Sequence, residues 1–270
     1  MNDCAFNYSG SKSGYTELHA ITEPVVDLFG GGGGFWSFVK SEELYVNDVN
    51  SVMVSFQRML HGMDDDKFEM LVAKLYEITA EAAVSREAYE ALRRRFNDTK
   101  NPILFMAVLS CCTNNMIRYN LSGGFNQTWG QRKFNPNMER KLRAFRERIR
   151  GKKIEFTGMD FRSYPRHDHL LYFVDPPYYI TSTGYNTAWG EETETSLYWY
   201  LRGLRFAMTN FITRGELTNT ILENAIRNSG WVYVDLRGGK MRAQRNKDDS
   251  YREILVCDSA VTLEGLGLRA

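Results

Sequence analysis

The chain has 270 residues, 43% of them hydrophobic, and a net formal charge of +1, enough to bury the core of one large α/β domain or of a domain carrying a substantial insertion. No run of about 18 apolar residues occurs, and "MNDCAFNYSGSKSGYTE" lacks the blocks of a secretory leader, so a soluble, cytoplasmic protein without a membrane span is expected. Cys4, Cys111, Cys112 and Cys257 contain no C-x-x-C, and His167 and His169 beside Asp168 have no second cluster to join, so neither a disulfide framework nor a metal site is expected.

In chain order, Val25 to Phe29 reads as a short buried strand, Gly30 to Gly34 as a turn, and the aromatic residues after it as the start of a helix. "LYVNDVN" then gives a second strand ending at Asp48. A strand, a glycine turn, a helix and a second strand ending in an acid open a nucleotide-binding α/β fold. From about Ser51 to Arg150 helical periods take over, in "FEMLVAKLYEITAEAA", "SREAYEALRRRF", "PILFMAVLSCC" and "MERKLRAFRERIR". Between the last two, the polar segment 114–134, "NNMIRYNLSGGFNQTWGQRKF", suits a protruding hairpin.

Strand signals return at 154–161, 170–175, 205–210, 231–236 and 253–258, with helices near 191–203 and 216–229. The last two strands, joined by "RGGKMRAQRNKDDSYR", suit an antiparallel hairpin. The expected fold is therefore α/β: a Rossmann-like, mostly parallel sheet with an antiparallel last strand, built from residues 1–52 and 145–270 and interrupted by a helical domain over 53–144. Charge follows the same division. From Arg86 to Lys153 there are sixteen Lys and Arg against five acids, while 64–81 is acidic. Such a segment suits a polyanion, or a solvated basic face on ordinary helices.

The chemistry is most specific in "LLYFVDPPYY", residues 170–179. Asp175 ends an apolar strand, where open α/β sheets present residues to ligands. Pro177 restricts Pro176 to extended backbone, so the Pro176 carbonyl can stand beside the Asp175 carboxylate as a rigid pair of acceptors. Tyr178 adds an aromatic face. Two acceptors and a ring suit a planar amine, whose lone pair becomes nucleophilic once both N–H groups are engaged. Gly30 to Gly34 suit a backbone that approaches a ligand closely, and without a following G-K-[ST] they do not form a phosphate-gripping loop. Asp48 lies seventeen residues past Gly31, near the spacing of about 20 at which such folds place an acid on ribose hydroxyls.

The "DPPY" of Asp175 to Tyr178, the "DLFGGGGGF" turn and the early "YSGSK" together resemble DNA adenine-N6 methyltransferases of the Dam type, phage members especially. "FNDTKNPILF", "NNMIRYN", "GGFNQTWGQR", "DPPYYITSTGYNTAW" and "DDSYREILV" fall in the family's order. The resemblance implies an S-adenosylmethionine-dependent methyltransferase sheet acting on double-stranded DNA, with S-adenosylhomocysteine as product and no metal, membrane or obligatory oligomer.

By position it assigns Tyr8, Lys12, Phe29, Gly31, Gly33 and Asp48 to the cofactor, Asp160 and Phe161 to its adenine, and Asp175, Pro176, Pro177 and Tyr178 to the flipped base, Asp175 also lying near the cofactor's methionine part. Met116, Arg118 and Asn120 match the base-reading segment, where an arginine fork suits guanine. Thr128 falls in the same DNA-binding set, and Arg132, with parts of the helix from Arg140 to Arg150, would meet phosphates.

The family's target would be GATC. Departures fall where specificity lies: Thr113 in place of an aromatic wedge, Thr128 in place of a proline, and Asn7 in place of a guanine-reading lysine. Rival readings are a DNA-binding relative without catalysis, and methylation of an RNA adenine, cytosine N4 or a glutamine, whose enzymes usually carry Asn or Ser in place of Asp175.

Overall fold

A computed structural model describes Phe6 and residues 11–181, 189–236 and 251–268. They divide into two compact units: Gly31–Ser37 and Asn50–Gly151 with Phe6 and Ser11 form one, and Lys12–Gly30, Phe38–Val49 and the described residues from Lys152 onward form the other.

The first unit is helical: α1 (Ser51–Gly62), α2 (Asp65–Ala82), α3 (Arg86–Thr99), α4 (Pro102–Cys111) and α5 (Pro136–Ile149). Each begins at a residue that caps it. Asn50, Asp64, Ser85, Asn101 and Asn135 all accept a hydrogen bond from a backbone N–H of the first turn, contributing about 1 kcal/mol apiece. Prolines open α4 and α5, where the missing N–H costs nothing. α4 is apolar on every side and buried from Leu104 to Cys111, so it is the central helix of this unit, and α1, α2 and α3 pack on it. Acidic α2 and basic α5 answer one another: Arg143 pairs with Glu69, and Arg146 and Arg150 pair with Asp65. Much of the basic excess of α5 is thereby neutralised within the unit.

Between α4 and α5 the chain runs out and back, with antiparallel bridges at Cys112↔Trp129 and Tyr119↔Phe125. Its stem is tight. The Gly130 N–H donates to the Cys111 carbonyl at 2.9 Å, and a Cβ on Gly130 would lie 2.5 Å from the Cys112 carbonyl carbon and oxygen. Helix α3 braces the returning strand: Tyr89 and Arg93 donate to the Gln127 carbonyl, and the Asn97 carboxamide bonds the carbonyl and N–H of Phe125.

The second unit is built on a sheet of β1 (Val25–Asp27), β2 (Glu43–Asn47), β3 (Lys153–Thr157), β4 (Leu171–Val174), β5 (Arg205–Arg214), β6 (Leu217–Thr218), β7 (Val232–Asp235) and β8 (Tyr251–Cys257), with α6 (Glu191–Leu201), α7 (Thr220–Ser229) and α8 (Ala260–Gly265). The order is β3-β2-β1-β4-β5-β8-β7, with β6 folded back on β5. β1 to β5 pair in parallel, and β8 runs antiparallel to both β5 and β7. The sheet is therefore the mixed α/β arrangement expected, with an antiparallel last strand. All four residues of β4 are buried, as a parallel strand covered on both faces requires.

Two expectations are corrected. Residues 31–40 form turns and bends, not the start of a helix. Gly31 and Gly33 have φ of 47° and 80°, and the few residues left before β2 cannot complete stable helical turns. The helix expected near 216–229 starts only at Thr220, because Gly215, with φ 62°, turns β5 back into β6.

Strand order reverses between β1 and β4, the switch point at which open α/β sheets bind ligands outside their carboxyl ends. Asn47 fixes those ends. Its amide donates to the carbonyls of Leu28 and Met159, and its oxygen accepts from the Thr157 hydroxyl and the Met159 N–H. β1, β2 and β3 thus finish at one height.

Candidate active site

Val174 stands opposite Met208 in the β4–β5 register, so the next residue, Asp175, comes level with Thr209. The Thr209 hydroxyl donates to Asp175 Oδ1 at 2.6 Å. Lys12 Nζ lies 2.8 Å from Oδ1 and 2.9 Å from Oδ2, and the Tyr178 hydroxyl lies 2.9 Å from Oδ1. Three donors therefore crowd Oδ1, while Oδ2 has Lys12 alone. A carboxylate offers about four lone-pair sites. Oδ2 keeps one without a partner among the described residues, on a side chain 22% exposed. That atom can accept a hydrogen from an incoming group.

Pro176 is buried directly after Asp175, and Pro177 and Tyr178 are half-buried. The Tyr178 ring meets Phe211 edge-on at 5.2 Å, with the Lys12 ammonium 5.3 Å above it. Its hydroxyl also lies 2.8 Å from Oε1 of Glu253. Burial, followed by the charges of Asp175 and Glu253, pushes the Tyr178 hydroxyl well above the ordinary phenol range, so it remains a donor. Glu253 also receives the Tyr15 hydroxyl at 2.8 Å and has Lys12 Nζ at 3.6 Å. Among the described residues two carboxylates thus surround one buried ammonium, a formal charge of −1 that suits a cationic ligand.

In the same unit Phe29, Phe161 and Trp189 gather, with ring centroids 5.6 to 5.8 Å apart. Trp189 is tethered by its indole N–H to Glu194 at 2.6 Å. Glu194, fully buried, also receives the Tyr198 hydroxyl and the amides of Asn210 and Asn219. The three rings form an apolar wall suited to a planar heterocycle.

The remaining residues singled out by sequence have varied surroundings. Asp48 is buried just past β2. Asp160 caps a single 3₁₀ turn and is gripped by Arg162 through Nε at 2.8 Å and NH2 at 2.7 Å, which holds its carboxyl below the usual range. Gly31 accepts the Gln57 amide on its carbonyl. A Cβ on Gly33 would strike Phe145 at 2.6 Å, so its bareness is used by packing within the helical unit. Tyr8 and Asn7 lie outside the described residues.

In the helical unit Arg118 is exposed and has no side-chain partner among the described residues, while Met116 is half-buried. The Asn120 carboxamide oxygen is occupied by the Gly124 N–H and the Ser122 hydroxyl, which leaves its NH₂ as the group it can offer. Arg132 is exposed and reaches Asn115 at 3.4 Å. Thr113 and Thr128 touch each other: their hydroxyls are 2.9 Å apart, and the Thr113 N–H donates to the Thr128 carbonyl at 2.9 Å.

Sequence reasoning missed Tyr15, Asn47, Thr209 and Glu253. The one available signal was an acid at the head of the apolar run "EILVC", which looks like a solvated strand end. Cys111, Cys112 and Cys257 are free and buried, and burial pushes each thiol up to about 12. Among the described residues no helix is long and apolar enough to cross a membrane, and no group of three or more His, Cys, Asp or Glu could hold a metal ion.

The family model for D12 class N6 adenine-specific DNA methyltransferases matches residues 16–236. Among curated proteins, the chain is 26% identical over 216 residues to the type II methyltransferase M.FokI of Planomicrobium okeanokoites, covering 73% of this chain and 33% of that protein. It is 25% identical over 277 residues to the modification methylase StsI of Streptococcus sanguinis, covering 93% of this chain and 42% of the relative. It is also 25% identical over 160 residues to the DNA adenine methylase of Escherichia coli K12, covering 58% of this chain and 56% of the relative. The chain thus spans well under two thirds of the length of these relatives.

Proposed function

The chain belongs to the D12 class of N6 adenine-specific DNA methyltransferases, and from that premise we propose that it transfers a methyl group from S-adenosylmethionine to the N6 amine of an adenine flipped out of duplex DNA. The sheet unit would bind the donor and the adenine. The helical unit would read the DNA, at GATC or a related short site. A DNA substrate places this work in the cytoplasm, of a host cell if the enzyme is phage-encoded.

The observation that carries the reading is the open lone pair of Asp175 Oδ2 at the end of β4, on a carboxylate fixed by Lys12, Tyr178 and Thr209. The surroundings also fit the donor: a net negative, largely buried cluster suits a sulfonium, and the wall of Phe29, Phe161 and Trp189 suits its adenine. S-adenosylmethionine, when bound, supplies an electrophilic methyl group. The protein's own residues do the rest. Asp175 Oδ2 and the Pro176 carbonyl accept the two N–H groups of the exocyclic amine, drawing its nitrogen toward tetrahedral geometry with the lone pair free. Lys12 and Thr209 hold Asp175 in that pose. Once N6 carries the methyl group it releases one proton to water, so catalysis is positioning and electrostatics, without a covalent enzyme intermediate.

Expression in cells lacking adenine methylation, followed by mapping of modified bases, tests this. N6-methyladenine at one short sequence is expected from the wild type, with loss of about a thousandfold for Asp175→Ala. Unmodified DNA from the wild type, or equal signal from the variant, would overturn the proposal. Methyl groups on RNA adenine, on cytosine N4 or on glutamine would move it to a neighbouring substrate.

A further inference from the structure

Glu253 has entered so far only as one charge of the cluster, yet it is one of the most deeply placed acids in the sheet unit, with a side chain only 4% exposed. A carboxylate is rarely buried without a reason, because removal from water costs several kcal/mol per ion. Its surroundings give the reason. In the β5–β8 register Glu253 lies opposite Phe211, the residue whose ring packs on Tyr178. One oxygen takes the Tyr15 hydroxyl, the other the Tyr178 hydroxyl, and Lys12 Nζ lies within 3.6 Å.

Tyr178 is shared: its oxygen is 2.9 Å from Asp175 and 2.8 Å from Glu253. A phenol has a single hydrogen to donate. The hydroxyl can serve only one carboxylate at a time, so the two acids are coupled through it and through Lys12. If Glu253 were merely a strand end, solvation would satisfy it more cheaply than three converging side chains do.

We propose that Glu253 is a positioning residue of the methyl-transfer site, which holds Lys12 and the Tyr178 hydroxyl against Asp175 and supplies the extra negative charge that favours a cationic methyl donor over its neutral product. The inference rests on the methyl-transfer reading. Glu253 need not touch either substrate. It acts through the ammonium and the hydroxyl that touch Asp175, and its charge is felt because the cluster is largely shielded from water.

The test uses the full chain with three variants, E253Q, E253D and Y15F. Steady-state methylation of duplex DNA is measured beside calorimetric affinities for S-adenosylmethionine and S-adenosylhomocysteine. E253Q keeps shape and an acceptor but removes the charge. It is expected to lower kcat by about ten- to a hundredfold, leave the KM for DNA within about twofold, and reduce the affinity ratio of sulfonium to thioether by about five- to tenfold. Y15F, which leaves the charge in place, is expected to lower kcat less and keep the ratio.

E253Q with wild-type kcat and ratio overturns the inference, as does an equal loss in E253Q and Y15F with the ratio unmoved, which would mark a merely structural contact. Should E253Q fail to fold, E253D decides: a retained ratio with lowered kcat supports the proposal, and a lost ratio overturns it. Wild-type protein that binds neither ligand and leaves DNA unmodified overturns the methyl-transfer reading itself, and this inference with it. An active wild type beside an indifferent E253Q overturns the inference alone.

Discussion

At the carboxyl end of β4 each polar side chain answers to several partners drawn from distant parts of the chain, whereas along residues 113–128 many of the hydrogen bonds join neighbours within one excursion. Asp175 is held by residues at positions 12, 178 and 209. Asn120, by contrast, bonds Ser122 and Gly124, and Thr113 bonds Thr128. The first arrangement is rigid because no member can move without leaving a buried polar group unsatisfied. The second is adjustable, since its members face water and can trade partners cheaply. If the proposed division of labour holds, chemistry that must not vary and recognition that must are built with different kinds of contact.

The rigid cluster is most vulnerable at Lys12, which lies within 2.9 Å of both Asp175 oxygens. Lys12→Met leaves two carboxylates facing each other without their ammonium, and is expected to destabilise the protein by about 3 kcal/mol and to abolish methylation; urea unfolding and the base-modification assay check both. An unchanged midpoint would show the cluster to be loosely held. Arg118→Ala should do the reverse, with stability intact and the preference for the correct site down about ten- to a hundredfold, read by methylation of matched and single-mismatch duplexes.

Thr113→Val is expected to cost under about 1 kcal/mol while changing which flanking bases are tolerated, and Thr128→Val should change the same bases, because the two hydroxyls form one unit. Different shifts for the two would separate them.

The smallest effect concerns the thiols. Their folded-state pKa of about 12 lies above the ordinary thiol value, so their contribution to stability is complete below that value and is lost as pH rises toward 12. Unfolding measured across the alkaline range should show the decline. At pH 8, labelling read by mass spectrometry should reach Cys112, beneath the adjustable segment, before Cys257 in β8, because local opening precedes global opening.

What could be read in the sequence divides along the same line. The apolar runs at 25–29 and 170–175 gave their strands away because parallel strands are buried on both faces, and Asp175 stood out as an acid closing such a run. Periodicity found α2 to α5 but could not foresee that the acids of α2 meet the arginines of α5, since a tally of charge along the chain is blind to what lies across it. Glycines at 31 and 33 announced a turn, yet Gly33 is bare for Phe145, a neighbour more than a hundred residues away. Glu253 and Asn47 were invisible for the same reason: each looks like an ordinary polar residue at a strand end until the partners that enclose it arrive from elsewhere.

Gly130 fixes the base of the excursion, donating its N–H to the Cys111 carbonyl. With backbone so close that even a methyl would collide with the Cys112 carbonyl, the two ends of the 113–128 excursion are locked at a fixed span whatever lies between them. The stem behaves as a socket and the tip as an exchangeable bit. The exposed tip, Asn120 to Gly123, could be exchanged while the buried Ile117, Phe125 and Gln127 keep their places.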